Sequence, residues 1–62
     1  MKTVIKTTIK GSEAITIKES VSDVFDLLID KGNFLMCNRI NGEGQSLMII
    51  KKSVIKIVVS RS

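Results

Sequence analysis

Residues 20–32 read S-V-S-D-V-F-D-L-L-I-D-K-G, and they decide the fold because their apolar residues recur with the period of a helix. Ser20 and Asp23 fit a capping box, in which the serine hydroxyl accepts a hydrogen bond from the backbone N–H of Asp23. The apolar positions follow at helical spacing: Val21, Val24, Phe25, Leu27 and Leu28. The stretch therefore predicts one amphipathic helix.

The end of this helix is marked by Lys31 and Gly32, a cation followed by a residue that readily adopts the left-handed conformation. We therefore expect the helix to span residues 21–31. Its outer side carries three acids: Asp23, Asp26 and Asp30. The segment 19–31 holds four acids and one lysine, a net charge of −3, whereas the rest of the chain sums to +7.

The residues before the helix alternate between apolar and polar, which is the period of a β-strand. Residues 2–10 read K-T-V-I-K-T-T-I-K, and lysines and isoleucines fall on opposite faces: Lys2, Lys6 and Lys10 against Ile5 and Ile9. Residues 13–18 alternate again. The pattern predicts an antiparallel hairpin.

The register of this hairpin follows if its turn is centred on Ser12, because the isoleucines then share one face. Ile9 would lie opposite Ile15, and Lys6 opposite Lys18. The same register collects four lysines on the outer face: Lys2, Lys6, Lys10 and Lys18. We expect consecutive lysines of the first strand to be about 13 Å apart.

A second hairpin follows the helix, with strands over residues 34–40 and 47–50. The dipeptide Asn41-Gly42 is a strong hairpin signal because both turn positions tolerate positive φ. With this turn, Met36 pairs with Leu47 and Phe34 with Ile49.

Both faces of this second hairpin are apolar, as expected for strands covered by the helix on one side and by a second subunit on the other. The residues expected at the subunit interface are Leu35, Cys37, Met48 and Ile50. A chain of 62 residues with 44% hydrophobic content has difficulty covering its apolar side chains alone. Its one cysteine excludes an internal disulfide, so we expect a homo-oligomer.

A last strand over residues 54–59 completes the order β-β-α-β-β-β. The fold class is α+β, an antiparallel sheet with one helix packed on it, in a single domain over residues 1–62. The polar residues in M-K-T-V-I-K-T-T-I-K-G interrupt the apolar run that a signal peptide needs, and no run is long enough for a membrane span. We expect a cytoplasmic protein without membrane contact.

Three segments carry a resemblance: I-K-E-S-V-S-D-V-F-D-L-L-I-D, R-I-N-G-E-G and K-K-S-V-I-K-I-V-V. Together they resemble very small phage and prophage proteins of Gram-positive bacteria. The K-E-S-V helix start and the R-I-N-G turn are also similar to the flagellar FlbD family, in reversed order. The resemblance implies a small β-rich regulator or inhibitor without a known active site, and it assigns no functional residue.

Catalysis is not expected, because the chain has no histidine to serve as a base for a cysteine or serine nucleophile. Cys37 lies in an apolar strand, which favours a packed core or interface thiol. The three helix acids could share a divalent cation, but their spacing equally fits a solvated helix face. The G-E-G of residues 42–44 could form an anion nest or a plain turn. We therefore predict a non-enzyme with no metal and no cofactor.

The lysines allow two interpretations. They could keep an outer face and an edge strand soluble, or form an anion site together with Arg39, as the isoelectric point near 9.6 favours. Sequence-specific nucleic-acid reading is not expected, because arginines are few and both phenylalanines, Phe25 and Phe34, are assigned to the core.

The sequence therefore predicts a homo-oligomeric binding or inhibitory protein that occupies or sequesters a partner. That partner would be a host protein or a phosphorylated small molecule such as a nucleotide, in the setting of a phage inhibitor of a bacterial defence or regulatory system. The alternative is a non-specific nucleic-acid-binding or transcription-regulatory protein.

Overall fold

The computed structural model describes residues 2–41 and 46–61. The elements follow in the predicted order: β1 (Lys2–Thr7), β2 (Ala14–Ile17), α1 (Val21–Ile29), β3 (Phe34–Asn38), β4 (Ser46–Ile50), a 3-10 turn (Lys51–Ser53) and β5 (Val54–Ser60). All strand pairs are antiparallel. The α+β class with one helix is confirmed.

The strands form two sheets where one was predicted. A three-stranded sheet has the order β2-β1-β5, and β3 and β4 form a separate two-stranded hairpin. The edge of β2 meets β3 through a single bridge, Ile17 to Arg39. Two backbone hydrogen bonds flank this bridge, from the N–H of Lys18 to the oxygen of Asn38 at 2.9 Å and from Ile40 to Thr16 at 3.1 Å.

The helix begins as predicted and ends two residues early. The Ser20 hydroxyl accepts from the N–H of Asp23 at 3.2 Å, which confirms the cap. Asp30 turns the backbone to an extended conformation, and its carboxylate accepts from the N–H of Lys31 at 2.9 Å. Gly32 has the expected positive φ, +109°, but Lys31 lies beyond the last helical turn.

The predicted register of the first hairpin is wrong by four residues. Ile5 pairs with Ile15, and Lys6 pairs with Ala14 instead of Lys18. The cause is Thr7, whose hydroxyl donates to the Ser12 carbonyl oxygen at 2.7 Å and accepts from the N–H of Ile9 at 3.1 Å. These bonds fold the following residues into a loop, so β1 ends at Thr7 and Ile9 leaves the sheet.

The predicted register of the second hairpin is wrong by one residue. Met36 pairs with Met48, and Leu35 pairs with Ile49. A one-residue slip moves every side chain of a strand to the other face. The face toward the helix therefore holds Leu35, Cys37, Leu47 and Ile49, and the outer face holds Phe34, Met36, Met48 and Ile50. Part of the turn predicted at Asn41-Gly42 lies outside the described residues.

The core lies between the helix and the inner faces of the two sheets. Its buried members are Ile5, Ile15, Ile17, Val24, Leu35, Cys37 and Ile49. Leu27, Leu28 and Leu47 pack against them and are half-buried. Both phenylalanines were expected here and lie outside: Phe25 and Phe34 expose 54% and 49% of their surface.

Candidate anion-binding face of the three-stranded sheet

The outer face of the three-stranded sheet is defined by the alternation along β1. Thr3, Ile5 and Thr7 point inward and are buried, which leaves Lys2, Val4 and Lys6 on the opposite face. The strand register adds the rest of this lysine face: Ala14 and Thr16 from β2, and Lys56, Val58 and Ser60 from β5. Among the described residues, the strands therefore place three lysines and no acid on this face.

Two of these lysines lie directly opposite each other. Lys6 on β1 pairs with Lys56 on β5, next to the pair Val4 and Val58. Directly opposed residues on neighbouring antiparallel strands have Cα atoms about 4.5–5.5 Å apart. Like charges in this arrangement destabilise a sheet, so the fold itself gains nothing from the pair.

Lys2 extends the charge along the same strand. It lies four residues before Lys6 on the same face, a distance of about 13 Å along β1 and pairs with Ser60. Lys18 follows β2 directly, at the end of the sheet where β1 begins, and is exposed.

The other two residues predicted for an anion site lie elsewhere. Lys10 lies in the loop between β1 and β2, because the strand ends at Thr7. Arg39 forms the bridge to Ile17 at the junction of the two sheets. The structure thus places Lys2 and Lys6 on the same face as Lys56. Lys56 was not among the residues predicted from the sequence for this site. The alternation of V-I-K-I-V-V placed Lys56 on a strand, but its neighbour across the sheet depends on the pairing of the chain ends.

Two exposed acidic side chains of the helix lie on the other side of the three-stranded sheet from the lysines. The helix packs against the inner face of the sheet through Val24, while Asp23 and Asp26 are exposed. The three-stranded sheet therefore lies between these two carboxylates and the lysines.

Glu19 joins the two sheets. Its carboxylate accepts from the backbone N–H of Asn38 at 2.9 Å and from the Asn38 side-chain amide at 2.8 Å. Burial alone would raise the pKa of Glu19, but these hydrogen bonds outweigh it and the pKa falls below its ordinary value. Glu19 is thus held as a carboxylate, and the neighbouring Lys18 ammonium contributes to lowering its pKa.

Cys37 and the acidic side chains are the other groups that could react or bind a metal ion. Burial raises the pKa of the Cys37 thiol to about 11, with a further contribution from the Glu19 carboxylate. Cys37 is therefore a protonated core thiol. Among residues 2–41 and 46–61, no cluster of three or more His, Cys, Asp or Glu side chains could hold a metal ion.

One pocket lies on the inner side of the sheet, near the start of α1. It has a volume of about 220 Å³ and is lined by Thr3, Ser20, Val21 and Val59. Small-molecule sites usually occupy about 300 Å³ or more, and this lining offers no charge to fix a ligand.

No helix in the described part of the chain has the length and apolar character required to cross a membrane. Neither a family model, nor a curated protein, nor a solved structure matches the chain.

Proposed function

We propose that this chain is a non-enzymatic binding protein whose lysine face holds phosphate groups of its ligand. The observation that carries the proposal is the directly opposed pair Lys6 and Lys56. A phosphate between the two ammonium groups would replace their repulsion by two charge-assisted hydrogen bonds. A second anionic group of the same ligand would reach Lys2 along β1.

The alternative role for the lysines is to keep an outer face and an edge strand soluble, and its edge-strand part fits only Lys56, which lies on the edge strand β5. Edge strands are guarded by charges because their free backbone groups invite pairing with another chain. Lys2 and Lys6 lie on β1, which is the central strand between β2 and β5. Their charges therefore project from a strand whose two backbone edges are already paired.

Non-specific nucleic-acid binding is the second candidate, and one observation favours it. Phe25 and Phe34 are exposed, although the sequence placed both in the core. Exposed aromatic rings can stack on unpaired bases, which contributes about 1–3 kcal/mol per base. A single-stranded nucleic acid supplies both phosphates and bases.

The test measures binding of two kinds of phosphate carrier by fluorescence anisotropy and calorimetry at about 50 mM salt. The compact probes are pyrophosphate and ATP, and the extended probes are short single-stranded and double-stranded DNA. The variant carries Lys2→Gln, Lys6→Gln and Lys56→Gln. The control carries Lys10→Gln, Lys31→Gln and Lys52→Gln, which removes the same charge from exposed positions outside the face.

We expect the face variant to lose at least about tenfold in affinity and the control to stay within about twofold. Equal losses of affinity in both variants would show that only net charge matters, which would contradict the proposal. A wild-type protein that binds none of the probes would contradict it as well. Binding confined to single-stranded DNA and weakened by Phe25→Ala would favour the nucleic-acid candidate. Binding of pyrophosphate or ATP would favour a compact ligand.

The cytoplasmic location and the inhibitory role toward a host protein stay predictions. The phage resemblance supports that role, and sequestration of a phosphorylated ligand would provide a means for it.

A further inference from the structure

The outer face of the β3–β4 hairpin is apolar and open. Phe34, Met36, Met48 and Ile50 share it, and each exposes between 44% and 63% of its surface. Cross-strand pairing sets Phe34 beside Ile50 and Met36 beside Met48, so the four side chains form one contiguous patch, the hairpin patch. Such patches on small proteins mark interaction sites.

The hairpin patch has no charge. Neither β3 nor β4 contains a charged residue. In a two-fold dimer the same patch faces itself, so every charge on it would meet a like charge near the axis. The lysine face cannot pair with its own copy for this reason, whereas the hairpin patch can. Its methionines and phenylalanine are also residue types enriched at protein interfaces, where charged residues are depleted.

The total surface also favours a covered patch. The chain exposes 4495 Å². A monomeric protein of 6.8 kDa is expected to expose about 3,950 Å². The excess of roughly 550 Å² is of the same order as the ~800 Å² that each partner buries in a standard interface.

We infer that the hairpin patch binds a second copy of this chain in a two-fold symmetric dimer. Leu35 and Cys37, expected at the interface from the sequence, do not take part because the chain's own core buries them. Met48 and Ile50 stay in the predicted interface, and Phe34 and Met36 join them.

The test is the mass of the protein in solution, measured by sedimentation at concentrations from low micromolar upward. The wild type should sediment at twice the 6.8 kDa chain mass. Met48→Asp should sediment as a folded monomer, because the dimer would bury its carboxylate unpaired. The matched control is Ile55→Asp on β5, at a residue exposed to nearly the same extent, 61% against 63%. It should remain a dimer.

A monomeric wild type would overturn the inference, and so would a Met48→Asp variant that stays dimeric. Dissociation by Ile55→Asp with Met48→Asp still dimeric would place the contact at β5 instead. If Met48→Asp fails to fold, methionine oxidation of the wild type decides. Peroxide should oxidise Met36 and Met48 several-fold more slowly in concentrated than in dilute protein, relative to an added methionine peptide. Equal rates would overturn the inference.

Discussion

The lysine face and the hairpin patch differ in charge although both are outer faces of strands with the same alternation. The lysine face sets two lysines opposite each other, next to a pair of valines. The hairpin patch sets two methionines opposite each other, with a phenylalanine beside an isoleucine. Without an anion, the lysines of the first face repel each other. In water, the apolar side chains of the second face stay exposed, which is also unfavourable. The difference separates the proposed ligand surface from the proposed self-association surface within one small domain.

The largest expected loss of stability comes from the buried side of β3, and substitution on its exposed side should cost much less. Leu35→Ala should lower the free energy of unfolding by about 3 kcal/mol, because it opens a cavity in the core. The neighbouring Met36→Ala should cost less than about 1 kcal/mol. Leu35 is fully buried and Met36 is half exposed. Urea denaturation of both variants measures the difference.

Protein concentration distinguishes the two causes further. The loss in Met36→Ala should shrink on dilution, because Met36 contacts the second copy in the proposed dimer. The loss in Leu35→Ala should persist at every concentration. Similar losses in the two variants would mean that the pairing of Met36 with Met48 is not the native register.

The next effect weakens the junction between the two sheets. Glu19→Gln should lower the free energy of unfolding by about 1 kcal/mol, because Asn38 donates to both carboxylate oxygens and the amide NH2 that replaces one of them cannot accept. Glu13→Gln is the control, since it removes the same charge from an exposed position beside β2.

The loss in Glu19→Gln should depend on pH. Because the folded-state pKa of Glu19 lies below its ordinary value of 4.5, its contribution is fully present above that pH. It disappears as pH falls through the folded-state pKa. The difference between the wild type and Glu19→Gln should therefore be constant near neutral pH and shrink on acidification below about pH 4.5. A difference that stays constant into acid would show that the carboxylate is not the stabilising group.

The order and kind of the elements could be predicted from the sequence, because local periodicity and the Ser20 cap determine them. The registers could not, because each depends on a loop. The Thr7 hydroxyl shortens β1 in a way that alternation does not reveal, and the second hairpin differs by one residue from the register of a two-residue turn. This one-residue shift in register places Leu35 in the core and Phe34 on the surface, the reverse of the prediction. Two of the three lysines of the lysine face were predictable: Lys2 and Lys6 follow from the alternation of one strand, whereas placing Lys56 beside them requires the pairing of β1 with β5.

The smallest expected effect has the opposite sign. Lys56→Gln should raise the free energy of unfolding by a few tenths of a kcal/mol at low salt, because it removes the repulsion with Lys6. The gain should vanish near 1 M salt, where charges are screened within about 3 Å. Urea denaturation suits this measurement because urea adds no ions. Lys52→Gln, at an exposed lysine of the 3-10 turn, should show no such gain. A loss of stability in Lys56→Gln would contradict the view that the fold tolerates this lysine at a cost.

Chemical labelling of the buried Cys37 thiol can report how often the β3–β4 hairpin opens. It is the single cysteine of the sequence, it lies in β3 under the helix, and its pKa near 11 leaves very little thiolate at neutral pH. A thiol reagent can reach it only when the hairpin separates from the core. The rate of labelling therefore reports how often the hairpin opens. A bound second copy that holds the hairpin closed would lower this rate without contacting the sulfur atom.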